Sequence, residues 1–481
     1  MQTRLAGWWA PDREASREKR GADEILNAES QLDTQSPRIR SWYFDKEHSP
    51  SKSRIQQYRR RDVPRRIHIL GTGSVGKLVA HSLRGIPNPP PITLLFHRRD
   101  LLKKWRREGE QIKLTTHKIT ESRNGYDVEV AAAQRRTHGT EVPLQELYGE
   151  ETYPGLRPHE IAALNSTTAP TSQDISEPSL NPEEEDDTSD ETIHNVVVTV
   201  KAASTVSALS AIRHRLTRGS TIIFLQNGMG ILEEVNREVF PDIETRPNYM
   251  LGIISHGVNS TSSFSVVHAG FGTIALGLVP RYAARQLTNP AEPMTESWAP
   301  TSRYLLRTLT RTPVLAAVGF APTELLQAQL EKLAVNAIVN PLTVMLDARN
   351  GSILYNFALS RVMRLLLSEI SLVIRSLPEL RGLPNVNTRF APDRLETLVV
   401  GVAHRTRDNI SSMLADVRKG KQTEIEYITG YVVKRGEEMG IKCVMNYMML
   451  QMVIGKQNLI NREEQEDVPV VGTGKSVVRS K

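Results

Sequence analysis

A glycine-rich turn between a short apolar run and a helical segment constrains the fold of this chain more than any other feature. The run Arg66-Ile-His-Ile-Leu70 is typical of a strand, and the segment after the turn is typical of an amphipathic helix. In this context the first glycine permits a tight turn, the second lets the backbone approach a pyrophosphate, and the third lets the helix pack on the strand. The free amides at the helix N-terminus favour an anion. The same spacing also occurs in plain turns, but here it predicts a dinucleotide site made of Gly71, Thr72, Gly73, Ser74, Val75 and Gly76.

The residues after the second predicted strand indicate which dinucleotide would bind. That strand, Ile92-Thr-Leu-Leu-Phe96, runs into a histidine and the arginines Arg98 and Arg99. At this point of the fold an acidic residue hydrogen-bonds the ribose of NAD, whereas an arginine accommodates the 2′-phosphate of NADP. Asp100 could serve NAD if the strand ended later, and these charges could also simply solvate a loop. We predict NADP, with Arg98 at the phosphate.

Two later apolar runs indicate a parallel sheet. The stretches 196–200 and 221–225 are continuously apolar and of strand length, as in strands that are covered on both faces. Lys201 follows the first and Asn227 lies just after the second, at the sheet edge where α/β folds bind ligands. Shorter strands between 249 and 278 indicate an antiparallel extension. After about residue 320 the apolar residues have helical spacing, so we predict an α/β Rossmann-type domain followed by an all-helical C-terminal domain.

Changes in composition along the chain place the domain boundaries. Residues 1–63 are charged and lack aliphatic periodicity, so we predict a disordered basic extension. The Rossmann-type domain is predicted at 64–318, interrupted at about 160–192 by a disordered acidic insertion that contains Glu183 to Asp187. The helical substrate-binding domain is predicted at 319–463, and residues 464–481 are predicted to form a flexible tail.

The charge and cysteine content exclude some classes of protein. The 481 residues carry a formal net charge of +7, but the basic residues cluster in boundary and tail segments, so the charge does not predict nucleic-acid binding. The one cysteine, Cys443, cannot form an internal disulfide or a Cys-rich zinc site, which fits a reducing compartment. We predict neither a membrane span nor a metal site, because no apolar run of about 18 residues and no metal-ligand cluster occurs. The predicted location is cytoplasmic, and a mitochondrial address is the alternative.

One predicted helix after residue 320 carries polar groups on a single face. Lys332, Asn336 and Asn340 are each four residues apart, with apolar residues between them. A lysine surrounded by apolar residues has a lowered pKa, which suits a proton donor, and neutral asparagines can anchor a carboxylate or hydroxyl. Pro341 predicts a break or kink just beyond Asn340. The alternative is that the lysine reaches solvent and the asparagines satisfy buried backbone groups.

Several of these segments, in this order, resemble the ketopantoate reductase (2-dehydropantoate 2-reductase) family. The resemblance spans about 66–445 and rests on the glycine turn, Gln226-Asn-Gly-Met-Gly230, Lys332-Leu-Ala-Val-Asn336, Asn340-Pro-Leu-Thr343, Asn409-Ile-Ser-Ser-Met-Leu414 and Thr423-Glu-Ile-Glu-Tyr427. It implies a 6-phosphogluconate-dehydrogenase-like arrangement, in which the substrate lies between a Rossmann domain and a helical domain. It also implies NADPH-dependent reduction of 2-dehydropantoate to (R)-pantoate, a step towards pantothenate and coenzyme A.

The resemblance implies roles for individual residues. Lys332 matches the catalytic acid, and Glu424 matches a glutamate that assists through a substrate hydroxyl. The matching cofactor positions are Arg98, Lys201 and Asn227, and the matching substrate positions are Asn227, Asn336, Asn340, Asn350 and Ser412. The N-terminal extension and the residues between about 115 and 192 depart from the family pattern. The implied partner is a small 2-keto acid, and a homodimer is left open.

Other polar groups have structural interpretations. Thr423 and Glu426 have the spacing of a capping box, which would assign Glu426 to structure and leave Glu424 free. His256 and His268 lie near strand ends, but no fixed spacing orients either one, so we interpret them as packed histidines.

Two other functions stay open. The same fold could reduce a different 2-keto acid, or the chain could be a non-catalytic reductase-like scaffold that binds or regulates. Retention of Lys332, Glu424 and the three glycines argues against the scaffold.

Overall fold

The computed structural model describes residues 63–131, 189–281 and 298–466. The predicted extension up to residue 62, residues 160–188 of the predicted insertion and the chain beyond residue 466 lie outside these ranges.

Most strands lie in the first two ranges, and helices dominate the third. The strands are β1 (Ile67–Leu70), β2 (Ile92–Phe96), β3 (Ile112–Thr116), β4 (Ile119–Arg123), β5 (Asp127–Val130), β6 (Ile193–Val198), β7 (Leu216–Phe224), β8 (Asn248–Ile254), β9 (Gly257–Ser260), β10 (Ser265–Gly270), β11 (Ile274–Val279) and β12 (Ala317–Gly319). The helices are α1 (Ser74–Arg84), α2 (Arg99–Arg107), α3 (Thr205–Ile212), α4 (Ile231–Glu238), α5 (Pro300–Thr310), α6 (Pro322–Leu346), α7 (Phe357–Ser376), α8 (Val386–Arg389), α9 (Pro392–Arg405), α10 (Ser412–Val417), α11 (Ile425–Glu438) and α12 (Val444–Glu466).

The main sheet has eight strands in the order β12-β11-β8-β7-β6-β1-β2-β5. All neighbours from β5 to β8 are parallel, and β11 runs antiparallel to β8. The six parallel strands have the order of a doubly wound dinucleotide-binding fold. Leu94 and Phe96 of β2 belong to one apolar cluster, and Leu95 between them belongs to another. Both faces of the sheet are therefore covered, which explains the continuous apolar runs and confirms the predicted Rossmann-type domain.

A second sheet of four strands, β4-β3-β10-β9, lies against α1. Lys77 of α1 is buried, and its Nζ donates to the backbone carbonyls of Ser262 (3.0 Å) and Ser263 (3.1 Å) before β10. Ser74, at the start of α1, shares a 2.9 Å hydrogen bond with Ser260 at the end of β9. The small sheet therefore fixes the position of the helix that follows the glycine turn.

One expectation is wrong in this region. The sequence predicts that the strand near Ser265 extends the main sheet, whereas β10 pairs with β3 and β9. The residues from about 115, where we expect a departure from the family pattern, include β4 and β5. β4 is largely exposed and polar, so it has little of the apolar signal by which a strand is predicted.

α6 is the central helix of the helical domain and packs against α7, α9, α10, α11 and α12. Its second half is almost entirely buried, in one apolar cluster with those helices. Of the break or kink predicted at Pro341, the break does not occur, because the helix continues to Leu346. Proline has no N–H, so the carbonyl of Ala337 lacks its usual helical donor, and packing on all sides holds the helix together despite this loss. Asn340 therefore lies in a regular helix and not at an irregular turn.

The passage from sheet to helices is short. β12 ends at Gly319 and α6 begins at Pro322, next to the domain boundary predicted at 318/319. Among the helices in the described ranges, none is long and apolar enough to cross a bilayer.

Candidate active site

The glycine turn lies between β1 and α1. Gly71 has a φ of +105°, in the left-handed region that glycine adopts without strain. A Cβ on Gly76 would lie 2.6 Å from Thr199 Oγ1 and closer still to the carbonyl oxygen of Gly71, so only glycine lets α1 pack this tightly. A Cβ on Gly73 would meet nothing nearer than 4.0 Å. The backbone at the start of α1 is therefore open on one side, which fits a pyrophosphate at a helix N-terminus.

Arg98 lies just beyond the second strand. β2 ends at Phe96, and Arg98 is the exposed residue that immediately precedes α2. Asp100, the alternative partner for a ribose, lies within the first turn of α2 and not at the end of the strand. The exposed Arg98 thus lies at the sheet edge where the sequence predicts a contact with a 2′-phosphate.

Lys332, Asn227 and Glu424 form one hydrogen-bonded network. Asn227 follows β7, Lys332 lies on α6, and Glu424 directly precedes α11. Lys332 Nζ donates to Asn227 Oδ1 (2.9 Å) and to the carbonyl of Ile254 at the end of β8 (2.7 Å). Asn227 Nδ2 donates to Glu424 Oε2 at 3.2 Å. Three residues that are far apart in the sequence therefore meet at the carboxyl edge of the parallel sheet.

The surroundings of Lys332 favour proton donation. Withdrawal of the ammonium group from water lowers the pKa of Lys332 to about 8, although the nearby carboxylate of Glu424 acts in the opposite direction. A group with this pKa is protonated near neutral pH and can still release its proton readily. Asn227 accepts from Lys332 through its carbonyl and donates to Glu424 through its NH₂, so both ends of the amide are fixed.

Lys201 joins the same network from the end of β6. Its Nζ donates to Asp416 Oδ2 (2.6 Å) on α10 and lies 3.5 Å from Glu424 Oε2. Burial alone would lower the pKa of Lys201, but the carboxylates of Glu424 and Asp416 together raise it. Burial raises the pKa of Asp416, and the ammonium of Lys201 opposes that effect. Lys201, predicted to contact a cofactor, thus pairs with two carboxylates of the helical domain.

Asp416 is absent from the sequence predictions. It lies four residues after Ser412, on the same face of α10, and helical spacing from that predicted residue could have indicated it. Its partner, however, is 215 residues away in the chain, and no local pattern reveals such a contact.

The capping box predicted for Thr423 and Glu426 is wrong. α11 begins at Ile425, so Glu424 holds the N-cap position, and Thr423 Oγ1 is buried without a hydrogen-bond partner among the described residues. Glu424 is 5% exposed, and its Oε1 accepts from the backbone N–H of Ala202 at 3.3 Å. This carboxylate of the helical domain is therefore held by residues of the Rossmann-type domain.

Asn336 and Asn340 continue the face of α6 that begins at Lys332. Asn336 is partly buried, and Asn340 is 6% exposed. Neither side chain hydrogen-bonds to another residue in the described part of the chain, so both amides can bind a ligand that enters along this face.

Asn350 and Ser412 lie elsewhere in the helical domain. Asn350 Nδ2 donates to Thr406 Oγ1 at 3.0 Å, beside the end of α9. Ser412 is the exposed first residue of α10, and Ser411 caps that helix by accepting from the N–H of Leu414. The structure does not bring Asn350 or Ser412 into the hydrogen-bond network of Lys332.

His256, partly buried, and His268, buried, form a pair beside the sheets. Their ring nitrogens Nδ1 and Nε2 are 3.0 Å apart, and His256 Nε2 lies 3.0 Å from the carbonyl of Leu315. Burial lowers the pKa of both, to about 4 for His268, so both rings are neutral near pH 7. No cluster of three or more possible metal-ligating side chains occurs in the described ranges.

Two family models match the chain. The model described as ketopantoate reductase PanE/ApbA matches residues 144–281, and the model of the C-terminal part of that family matches residues 324–457. A probable 2-dehydropantoate 2-reductase of Schizosaccharomyces pombe is 31% identical over 271 residues, which cover 56% of this chain and 75% of the relative.

The chain belongs to the ketopantoate reductase family. The network of Lys332, Asn227 and Glu424 joins the two matched ranges, since Asn227 lies in the first and the other two lie in the second. The glycine turn lies outside both ranges, so its place in this ketopantoate reductase fold rests on its geometry.

Further comparisons show that ketopantoate reductase relatives differ in name while the fold is shared. A ketoisovalerate reductase of Gibberella fujikuroi is 26% identical over 409 residues, which cover 77% of this chain and 78% of the relative. A probable 2-dehydropantoate 2-reductase from Bacillus subtilis has a TM-score of 0.50 at 23% identity, covering 81% of this chain and 99% of that structure. A D-mandelate dehydrogenase, solved with NADH and anilino(oxo)acetate, has a TM-score of 0.53 at 13% identity, covering 82% and 99%.

Proposed function

We propose that this protein is an NADPH-dependent reductase that converts 2-dehydropantoate to (R)-pantoate. The observation that carries the proposal is the network in which Lys332 binds Asn227 and the Ile254 carbonyl while Asn227 binds Glu424. This network lies at the carboxyl edge of a sheet whose first strand ends in the open glycine turn. An acid, a carboxylate and a dinucleotide cradle on one edge fit a ketone reduction.

The cofactor would be held by residues that fit it. The backbone of the Gly71–Gly76 turn would bind the pyrophosphate, since the space beside Gly73 is open, and Arg98 would bind the 2′-phosphate. When bound, NADPH supplies the hydride for the ketone carbon. The structural neighbour solved with NADH supports a nicotinamide dinucleotide, and Arg98 is the reason to propose the phosphorylated form.

The protein side chains supply the proton and the orientation. Lys332 would donate its proton to the ketone oxygen and stabilise the negative charge that develops there. Glu424 would accept a hydrogen bond from a substrate hydroxyl, and Asn336 and Asn340 would hold the substrate along α6. Neutral amides can bind a carboxylate or hydroxyl while leaving the pKa of Lys332 to be set by its burial.

The substrate class is a small 2-keto acid. The relatives named 2-dehydropantoate 2-reductase support 2-dehydropantoate as the substrate. Ketoisovalerate is the second candidate, because the ketoisovalerate reductase of Gibberella fujikuroi is similar to 77% of this chain. The two keto acids differ by a hydroxymethyl group, and a site that hydrogen-bonds a substrate hydroxyl through Glu424 would favour 2-dehydropantoate.

The activity is tested with purified protein, NADPH and each keto acid, followed by the loss of absorbance at the nicotinamide band. We expect turnover with 2-dehydropantoate, and we expect Lys332→Ala to lower kcat by a factor of about 10² to 10⁴, the usual value of a positioned acid. NADH in place of NADPH should raise KM for the cofactor, and Arg98→Ala should remove that difference.

A matched control separates chemistry from folding. Lys434→Ala changes an exposed lysine of α11 and should leave kcat unchanged. Full activity of Lys332→Ala would refute the proposed acid, and turnover with ketoisovalerate alone would assign the second candidate.

A further inference from the structure

Tyr427 hydrogen-bonds the turn that carries Asn227 to the helix that follows Glu424. The backbone N–H of Met229 donates to the carbonyl of Tyr427 at 2.8 Å. The hydroxyl of Tyr427 donates to Glu234 Oε2, in the first turn of α4, at 2.9 Å. Tyr427 thus holds both ends of the segment from Met229 to Glu234.

Close packing at Gly228 supports the same contact. Gly228 has a φ of +86°, and a Cβ there would lie 2.6 Å from both Cβ and the carbonyl oxygen of Tyr427. No other residue would let the turn approach α11 so closely. The Tyr427 ring packs against the apolar cluster beneath the main sheet, although the residue belongs to the helical domain.

Tyr427 lies in the first turn of α11. A cavity of about 310 Å³ lies between α4 and α11, and both Tyr427 and Tyr431 line it. Tyr431 lies one turn further along the same face of α11, and in the described structure its hydroxyl has no hydrogen-bond partner. The hydroxyl of Tyr427 therefore makes a bridge across this gap that Tyr431 does not make.

We infer that Tyr427 is a positioning residue that holds Asn227 at hydrogen-bond distance from Glu424 and thereby fixes Lys332. This inference rests on the proposed function, because it assigns Tyr427 a role through the network of Lys332, Asn227 and Glu424. The geometric link is short: the N–H of Tyr427 donates to the carbonyl of Glu424 within the same turn, at 3.1 Å. A shift of the Asn227 turn relative to Tyr427 is therefore a shift relative to Glu424.

The test compares Tyr427→Phe with Tyr431→Phe, which remove the same hydroxyl from the same helix face. Two properties are measured: steady-state kinetics, and amide hydrogen exchange in peptides that cover residues 226–231. For Tyr427→Phe we expect faster exchange in this segment and a fall of roughly tenfold in kcat, with KM for NADPH unchanged, because small misplacements of catalytic groups are costly. Tyr431→Phe should change neither property.

The two measurements keep this inference separate from the proposed function. Equal exchange in the two variants, with an active wild-type enzyme, would overturn the role of Tyr427 and leave the function standing. Faster exchange in Tyr427→Phe alone, with a wild-type protein that reduces no keto acid, would support the structural contact made by Tyr427 and refute the proposed function. A higher KM with unchanged kcat in Tyr427→Phe would also overturn the positioning role of Tyr427, since the residue would then act on binding.

Discussion

At the scale of single residues, Lys332 should determine how reduction depends on pH. Burial lowers its pKa to about 8, and in the proposed reaction the protonated form is the donor. We therefore expect kcat for reduction to be level below about pH 8 and to fall about tenfold per pH unit above it. The oxidation of pantoate should have the opposite dependence, since it needs the neutral amine. The check is kcat measured in both directions across this range.

The control for the pH profile is Lys332→Arg. The guanidinium keeps the positive charge but does not titrate in this range, so the residual activity should show no break near pH 8. A break that persists in Lys332→Arg would assign the titration to another group.

Gly73 and Gly76 should respond differently to the same substitution. In Gly76→Ala the new methyl group would press on the Gly71 carbonyl, which is backbone and cannot move aside, so we expect a loss of about 1 to 3 kcal/mol in unfolding free energy. In Gly73→Ala the methyl group has room, so stability should stay within about 0.5 kcal/mol while the Kd for NADPH rises about tenfold or more. Thermal unfolding and fluorescence titration measure the two effects. Equal NADPH affinity in Gly73→Ala would argue against a pyrophosphate at this turn.

At the scale of elements, an ion pair holds α6 in place next to Lys332. Arg389 of α8 donates two hydrogen bonds to Glu331, at 3.0 and 2.8 Å, and a third to Gln327 one turn earlier. The side chain of Glu331 is 5% exposed. Among the described residues, Arg389→Met would leave this carboxylate with the more distant Arg394 alone, and we expect a loss of about 3 kcal/mol in the free energy of unfolding by urea.

The matched control is Arg364→Met. Arg364 also binds a glutamate with its guanidinium, Glu396 on α9, but the arginine side chain is 68% exposed. Its loss should cost less than about 1 kcal/mol. Equal effects of the two substitutions would contradict a special role for the buried carboxylate of Glu331.

The elements that can be predicted are those whose burial determines the residue type at every position. β2 is buried along its length, so its sequence is apolar throughout, and its bounds were predicted correctly. β4 is exposed and polar and was missed. At Pro341 a local rule predicts a break or kink, whereas contacts of α6 with five other helices keep the helix continuous in the structure.

At the scale of the whole molecule, the candidate site could be predicted only in part. Lys332, Asn227 and Glu424 were selected by their motifs and positions, and the structure joins them directly. The partners of Lys201 could not be foreseen, because they belong to the other domain and no spacing in the sequence encodes a contact between domains. The hydrogen bond from the Tyr427 hydroxyl to Glu234 is also a contact between domains and could not be predicted for the same reason.

The small sheet can form only when the rest of the fold brings its strands together. β3 and β10 pair although they are about 150 residues apart in the chain, so their pairing must overcome a large loss of chain entropy unless other structure already holds them close. The main sheet does so, because it fixes the segments that lead into both strands. Lys77 finds its carbonyl acceptors only after that pairing. The position of α1 beside the glycine turn thus depends on tertiary contacts. A fragment that contains only β1, the glycine turn and α1 would carry the nucleotide motif but lack the contacts that hold it in position.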